Sequence, residues 1–257
     1  MTVLMPGMLL SQKMQTPLAR ELAARGNRVV TFDPLGHGES DRPQDMWRYS
    51  MGAFAEQTIA LLDHLELPQA IVGGTSLGAN ITLELAALAP RRLRGMIIEM
   101  PVLDNAIPAA GALFTPLLFA LTFGEPVMRA LARAVRVVPS ARLPFLLALS
   151  RDWLAQDPGP SGAVLQGILF GRTAPGRSVR ATFDAPTLVI GHPRDPLHPF
   201  SDADMLAGEL PNGRLVSASS VAELRLHPAR LTAEIAEFID ECWSEQPAAA
   251  QPRSATR

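Results

Sequence analysis

The stretch Ile71-Val72-Gly73-Gly74-Thr75-Ser76-Leu77-Gly78-Ala79-Asn80 decides the fold of this chain. Its apolar beginning is typical of the end of a buried strand, and apolar residues recur at helical spacing from Ala79 to Ala89. Between them lies Gly74-x-Ser76-x-Gly78, a turn too sharp for side chains on either flank. The pattern predicts a strand that turns directly into a helix and presents Ser76 at the turn. The alternative is a glycine-rich turn that contains a serine by chance.

The composition favours one large domain with an extensive apolar core. The chain has 257 residues, and 47% of them are apolar. Its 23 basic and 25 acidic residues nearly balance, which argues against nucleic-acid binding because that function needs a basic surface. Since Cys242 is the only cysteine, an intramolecular disulfide and a cysteine-based metal site are both excluded.

The sequence predicts neither a signal peptide nor a membrane span. The segment from Met1 to Leu10 is apolar, but it lacks a basic start and contains Pro6-Gly7. The longest apolar run, from Ala112 to Phe123, is interrupted by Thr115-Pro116 and is shorter than the roughly 20 residues that cross a bilayer. We therefore expect a cytoplasmic protein.

Predicted strands and helices alternate on both sides of the serine turn. The predicted strands are Thr2–Met5, Arg28–Phe32, Ala70–Gly73, Gly95–Met100, Thr187–Gly191 and Arg214–Ser217. The predicted helices of this part are Thr16–Arg25, Met51–Leu65, Ala79–Ala89 and Pro228–Cys242. Such alternation predicts an α/β fold with a mostly parallel sheet flanked by helices.

A long helical segment, residues 101–185, separates the fourth and fifth predicted strands. It is apolar and interrupted by many prolines, and we expect it to form a lid over the carboxyl edge of the sheet, where open α/β sheets bind ligands. Its apolar residues would line a pocket, or would only pack the lid onto the core. Residues 1–100 and 186–243 would form the core, and residues 244–257, rich in Pro, Ala and Gln, a disordered tail.

Three motifs together resemble the α/β-hydrolase superfamily, specifically its lidded, esterase-like branch. They are the serine turn, the loop FDPLGHGESDRP at Phe32–Pro43, and the segment PTLVIGHPRDPLHP at Pro186–Pro199. The resemblance covers nearly the whole chain and makes the serine turn a nucleophile elbow. Members of the superfamily usually have two further strands before the first one seen here. Arg28–Phe32 is then an edge strand, and we expect self-association through its unpaired backbone groups.

The resemblance assigns catalytic roles around the elbow. Ser76 would be the nucleophile, activated by a base. The backbone N–H groups of Leu77 and Met8 would form the oxyanion hole. Asp195 would be the acid, because it follows a buried strand and comes after the serine, in the chain order of this fold.

Two other carboxylates lie near the end of the fourth predicted strand. Asp104 is an alternative position for the acid, and Glu99 is expected to be a hydrogen-bonded structural carboxylate.

The base is the open question. The family's histidine follows the last strand, but no histidine lies near Ser220-Val221. His198, three residues after Asp195, and His227, directly before the last helix, are the two candidates. The third alternative is that no histidine acts as the base.

The remaining histidines, His37, His64 and His192, are expected to be structural or on the surface. No histidine pair has the spacing of a metal site, and neither a phosphate-binding loop nor a dinucleotide fingerprint occurs. We therefore expect neither a metal nor another cofactor.

These observations lead to two functional hypotheses. The first is a serine hydrolase that cleaves a small or medium, apolar-leaning carboxylic ester, lactone or thioester through an acyl-enzyme on Ser76. Serine at this position argues against dehalogenase or epoxide-hydrolase chemistry, which uses an aspartate there. The second is a non-catalytic ligand-binding or interaction protein on a hydrolase scaffold, because the usual histidine position is empty.

Overall fold

One six-stranded sheet forms the centre of the computed structural model, which describes residues 1–244. The strands are β1 (Thr2–Met5), β2 (Val29–Thr31), β3 (Ala70–Thr75), β4 (Leu93–Glu99), β5 (Thr187–Gly191) and β6 (Gly213–Ser217). Their order is β2-β1-β3-β4-β5-β6, and every neighbouring pair is parallel. The predicted α/β architecture with a mostly parallel sheet is confirmed.

Eleven helices accompany the sheet within the described residues. They are α1 (Thr16–Ala24), α2 (Met51–His64), α3 (Leu77–Leu88), α4 (Ile107–Phe123), α5 (Glu125–Arg136), α6 (Phe145–Leu154), α7 (Pro158–Leu169), α8 (Arg177–Arg180), α9 (Phe200–Glu209), α10 (Glu223–Leu226) and α11 (Ala229–Ser244). Helices α4 to α8 form the helical insertion, residues 101–185, between β4 and β5.

Apolar side chains on alternate positions of the strands build one core on each face of the sheet. On β1, Val3 and Met5 belong to the larger core with residues of α2 and α3, whereas Leu4 belongs to the smaller core with residues of α1 and α11. Successive side chains of a strand point to opposite faces, so both faces need a helical cover. The near-continuous apolar runs of the strands therefore agree with a sheet buried on both sides.

One helix of the core was absent from the predictions. Helix α9 lies between β5 and β6 and contributes Ala203 and Leu206 to the larger core. Its buried Asp202 accepts hydrogen bonds from the backbone N–H groups of Leu103 (2.8 Å), Asn105 (3.0 Å) and Ala106 (3.0 Å). This carboxylate fixes the start of the insertion directly before α4.

Asn80 ties two parts of the insertion to α3, its start and the segment after α7. Its Nδ2 donates to the carbonyls of Val102 (2.8 Å) and Thr173 (2.9 Å), and its Oδ1 accepts from the N–H of Val102 (3.0 Å). The Asn80 side chain is fully buried, so these bonds satisfy polar atoms that would otherwise be costly to bury.

Strand β2 is one edge of the sheet, since it pairs only with β1. It spans Val29–Thr31, somewhat shorter than predicted, and its three residues are half-buried. The predicted tail begins at Ser244, which is the last residue of α11, and residues 245–257 lie outside the described part. Among the described residues, no single helix meets the length and hydropathy needed to cross a membrane; α4 and α5, bent by 99°, meet them only as a pair.

Candidate active site

Ser76 occupies a strained turn between β3 and α3. Its φ is 54° and its ψ is −106°, a backbone conformation that costs a non-glycine residue on the order of 1–3 kcal/mol. A Cβ atom at Gly74 or at Gly78 would lie 2.6 Å from the Met5 carbonyl oxygen, so β1, β3 and α3 approach too closely for side chains there. The Ser76 N–H donates to the Glu99 carbonyl at 2.9 Å, which anchors the turn to β4.

His198 connects Ser76 to Asp195. Its Nε2 lies 2.9 Å from the Ser76 Oγ, and its Nδ1 lies 2.9 Å from Asp195 Oδ2. Since a carboxylate only accepts hydrogen bonds, Nδ1 carries a proton and Nε2 is left to accept from the serine hydroxyl. This is the hydrogen-bond order that a serine nucleophile, a general base and an orienting acid require.

Acid and base lie on the same turn after β5. Asp195 Oδ1 accepts from the backbone N–H groups of Leu197 (2.8 Å) and His198 (3.0 Å), while Oδ2 accepts from the imidazole. Partial burial alone would raise the pKa of Asp195, but the hydrogen bonds from His198 and Leu197 lower it below its usual value. The carboxylate therefore stays ionised at neutral pH and fixes the histidine and the turn together.

The structure brings three of the predicted site residues together and leaves two outside. Ser76, Asp195 and His198 form the connected group. The alternative base, His227, has an exposed side chain at the end of α10, and the alternative acid, Asp104, is exposed beyond β4. Neither His227 nor Asp104 lines the cavity beside Ser76.

The two predicted oxyanion-hole residues flank the serine. Leu77 is the first residue of α3, whose first backbone N–H groups have no partner within the helix. Met8 follows Pro6-Gly7 in the loop after β1 and lines the same cavity as Ser76. Leu77 and Met8 therefore both border the cavity at Ser76.

A cavity of about 600 Å³ opens beside Ser76 and His198. This volume lies within the range of ordinary small-molecule sites. Its walls come mainly from α4 and α7, with Phe114, Leu118 and Leu169 among the apolar side chains. Among the described residues that line it, none is Asp, Glu, Lys or Arg, so the cavity offers no fixed charge to a ligand.

Asn80 also lines this cavity, one helical turn after Ser76, and sequence reasoning did not identify it. The signal available in the sequence was an asparagine in the first turn of a mostly apolar helix. Its hydrogen-bond partners, Val102 and Thr173, are distant in the sequence, so its role as the tie to the insertion could not be read locally.

A buried ionic cluster lies directly behind the serine turn. The Arg225 Nη2 is 2.6 Å from Glu99 Oε2 and donates to the Thr75 hydroxyl at 2.7 Å, and Thr75 donates to Glu99. Burial alone would raise the pKa of Glu99, but Arg225, His192 and Thr75 lower it to about 2. Glu99 therefore has the environment of the structural carboxylate that the sequence predicted.

His192 joins this cluster to the loop after β6. Its Nε2 lies 3.3 Å from Glu99 Oε1, and its Nδ1 contacts the Ser220 carbonyl at 2.9 Å. Burial alone would lower the pKa of His192, but the Glu99 carboxylate raises it above its usual value. The family's histidine was expected in the loop after β6. In this chain the Ser220 carbonyl of that loop contacts His192, and α10 directly after the loop supplies Arg225 to the ion cluster.

The other histidines are placed apart from the site. His37 is buried with its Nδ1 3.0 Å from the Leu35 carbonyl, and burial lowers its pKa to about 4. His64 is exposed at the end of α2. Within residues 1–244, no group of three His, Cys, Asp or Glu side chains is arranged to hold a metal ion.

Comparison with known proteins relates this geometry to one large family. The model of the alpha/beta hydrolase fold family matches residues 3–221. A protein of Pseudomonas savastanoi pv. phaseolicola that carries the name of a carbamate hydrolase, RutD, is 30% identical over 206 residues, which cover 77% of this chain and 78% of the relative. The 2-hydroxymuconate semialdehyde hydrolase of Pseudomonas sp. strain CF600 is 37% identical over 75 residues, so the match covers 29% of this chain and only 26% of that hydrolase.

Solved structures show the same fold at lower sequence identity. The enol-lactonase from Burkholderia xenovorans LB400 superposes with a TM-score of 0.74 at 22% identity, over 93% of this chain and 90% of the lactonase. A thermophilic esterase from Thermogutta terrifontis superposes with a TM-score of 0.71 at 19% identity, over 94% and 89% of the two chains. At these identities the likeness is one of fold.

Proposed function

Because the chain belongs to the alpha/beta hydrolase fold family, we propose that it is a hydrolase that cleaves a small or medium carboxylic ester, lactone or thioester through an acyl-enzyme on Ser76. The observation that carries the proposal is the connected group of Ser76, His198 and Asp195 at the floor of an apolar cavity. In this proposal the helical insertion acts as the lid that forms the cavity walls.

Acylation begins when the Ser76 Oγ attacks the substrate carbonyl and its proton passes to His198 Nε2. The negative oxygen that forms accepts hydrogen bonds from the N–H groups of Leu77 and Met8. The ionised Asp195 stabilises the imidazolium while it lasts. When the intermediate collapses, the carbonyl–oxygen or carbonyl–sulfur bond breaks and His198 returns the proton to the departing alcohol or thiol.

Deacylation repeats these steps with water. The water oxygen attacks the acyl carbonyl while His198 takes a proton from the water. The same proton passes to Ser76 Oγ when the acid leaves. For a lactone the alcohol and the acid are parts of one molecule, so the product is a single hydroxy acid.

The lining of the cavity supports a neutral, apolar substrate. A substrate carboxylate inside it would meet no Lys or Arg among the described lining residues, and burying an unpaired charge is costly. The nearby polar groups, such as Asn80 and Gln166, are uncharged. This favours uncharged esters and lactones over substrates that carry a carboxylate next to the scissile bond.

The alternative of a non-catalytic ligand-binding protein rested on the empty histidine position after the last strand. The 2.9 Å distance between His198 Nε2 and Ser76 Oγ would let His198 act as the base from another loop and therefore supports hydrolysis. A protein that is stabilised by ligands but never turns them over would favour the alternative.

The test is turnover of p-nitrophenyl acetate, butyrate and octanoate together with labelling by a fluorophosphonate probe, each compared with the Ser76→Ala variant. We expect turnover and labelling that both depend on Ser76. The proposal is overturned if no ester or lactone is cleaved above the Ser76→Ala rate and Ser76 is not labelled.

A further inference from the structure

Exposed apolar side chains are concentrated on the helical insertion. Among the described residues, 17 large apolar side chains are exposed, and 11 of them lie between Ile107 and Phe170. Single exposed apolar residues are ordinary, but a concentration of them on one part of a surface marks a binding face.

Part of this face surrounds the cavity. Phe119, Phe123 and Phe170 all line the cavity beside Ser76, yet Phe123 is 77% exposed and Phe170 is 75% exposed. The rings of Phe119 and Phe123 stack with their centroids 5.6 Å apart. Side chains that both line a cavity and face outward lie at its mouth, so the opening carries aromatic rings directed to the surroundings.

Helix α5, which follows α4 directly, carries further exposed apolar side chains outside the cavity. At 100° per residue, Val127 and Leu131 lie on one side of α5, and Arg129, Arg133 and Arg136 lie on the opposite side. An amphipathic helix normally packs its apolar side on the core. Here Val127 is 73% exposed and Leu131 is 44% exposed, so the described chain leaves much of this side uncovered.

The charge around this face points to an anionic partner. From residue 107 to residue 144 the sequence holds four arginines and a single acid, Glu125, although the whole chain has a net charge of −2. Arg133 and Arg142 are exposed, and neither forms an ion pair within residues 1–244. An apolar side opposite an arginine side is the pattern of helices that lie in the plane of a lipid–water interface.

We propose that the insertion docks on an anionic lipid surface through its docking face, defined as Phe119, Phe123, Val127, Leu131 and Phe170. The aromatic rings and the apolar side of α5 would enter the interface, and the exposed Arg133 and Arg142 would contact lipid phosphates. Arg129 is already paired with Glu125 and Asp157. The cavity mouth then opens toward the lipid, and an uncharged lipophilic ester reaches Ser76 without crossing water. Only this last step rests on the proposed hydrolase function.

The test is co-sedimentation of the Ser76→Ala variant with extruded vesicles of phosphatidylcholine containing 30% phosphatidylglycerol, and with vesicles of phosphatidylcholine alone. The serine variant separates binding from catalysis. We expect binding to the anionic vesicles that is at least tenfold stronger than to the neutral ones, and that weakens as salt rises.

The matched comparison uses two double variants with the same change in charge. Val127→Glu with Leu131→Glu alters the docking face outside the cavity, and we expect at least a tenfold loss of vesicle binding. Leu88→Glu with Leu226→Glu alters exposed apolar residues outside the insertion, 50% and 48% exposed, and should change binding less than twofold. Circular dichroism melts confirm that both variants are folded.

Three results would overturn the proposal. The first is a lack of binding to anionic vesicles, and the second is an equal loss of vesicle binding in the two double variants. The third is a dimer in solution that only the variant with Val127→Glu and Leu131→Glu converts to monomer, because a second copy of the chain would then cover the face. Failure of the proposed hydrolase function looks different, because Ser76→Ala still binds vesicles while the unmodified chain cleaves no ester.

Discussion

Replacement of Asp195 by Asn tests the acid and base assignments together. In Asp195→Asn the side-chain oxygen can keep both hydrogen bonds from the backbone N–H groups of Leu197 and His198, so the turn should hold. The new NH₂ group then faces His198 Nδ1 and donates to it. The imidazole is forced to carry its proton on Nε2, where it donates to Ser76 instead of accepting from it.

The expected loss is large and is confined to chemistry. Fixing the wrong tautomer of a triad histidine lowers kcat on the order of 10⁴-fold, which is about 5 kcal/mol of transition-state stabilisation. KM should change little, since Asp195 does not line the cavity. The melting temperature should also stay close to that of the unmodified chain, because the two backbone hydrogen bonds survive.

The assay is the kcat and KM of p-nitrophenyl butyrate hydrolysis, with Asp104→Asn and His227→Ala as controls that alter the alternative acid and the alternative base. Both controls should remain within about twofold of the unmodified chain. An Asp195→Asn variant that keeps more than a tenth of kcat would refute the reasoning. So would an Asp104→Asn or His227→Ala variant that loses as much as Asp195→Asn.

Three further predictions concern stability and association. Since the pKa of Glu99 is about 2 in the folded chain and near 4.5 when unfolded, its ionisation stabilises the fold fully above about pH 4.5, and this contribution is lost as the pH falls toward 2. Glu99→Gln leaves Arg225 buried without its carboxylate and should cost about 3–5 kcal/mol in urea unfolding at pH 7, with a smaller difference at pH 3. In Gly73→Ala the new Cβ would clash with the Ile97 carbonyl oxygen, so we expect the free energy of unfolding to fall by about 1–3 kcal/mol. The control is Gly208→Ala on α9, where the new Cβ meets open space, and it should be neutral or stabilising. The edge strand β2 should make concentrated protein associate, and light scattering that shows only monomer at every concentration would contradict this.

The parts of the fold that depend on local pattern could be predicted from the sequence. Each strand has its own apolar run, and the two glycines of Gly74-x-Ser76-x-Gly78 predict a sharp turn between a strand and a helix. The order of the strands and helix α9 could not be obtained in this way. Helix α9 follows the proline-rich turn at Pro193–Pro199, and its Asp202 has partners about 100 residues earlier in the chain.

The identity of the general base could not be decided from the sequence for a similar reason. The three-residue spacing of Asp195 and His198 allows their side chains to meet. They meet only because the loop forms a turn in which Asp195 accepts hydrogen bonds from the backbone of Leu197 and His198. Arg194, directly before Asp195, has a φ of 68° in this turn. The pairing of Arg225 with Glu99 spans 126 residues and has no local signal. Sequence reasoning therefore identified the residues near Ser76 but could not choose between His198 and His227.

The placement of Asp195 and His198 on one turn determines how much of the chain the proposed catalytic geometry depends on. Two partners three residues apart lose little entropy when they meet, so the pair forms with the β5–α9 turn itself. If the base came from the loop after β6, thermal loosening of the C-terminal region would separate it from the acid. Here such loosening would release the contacts of Arg225 with Glu99 and Thr75 and of His192 with Ser220, whereas the bond between Asp195 and His198 lies within one short loop.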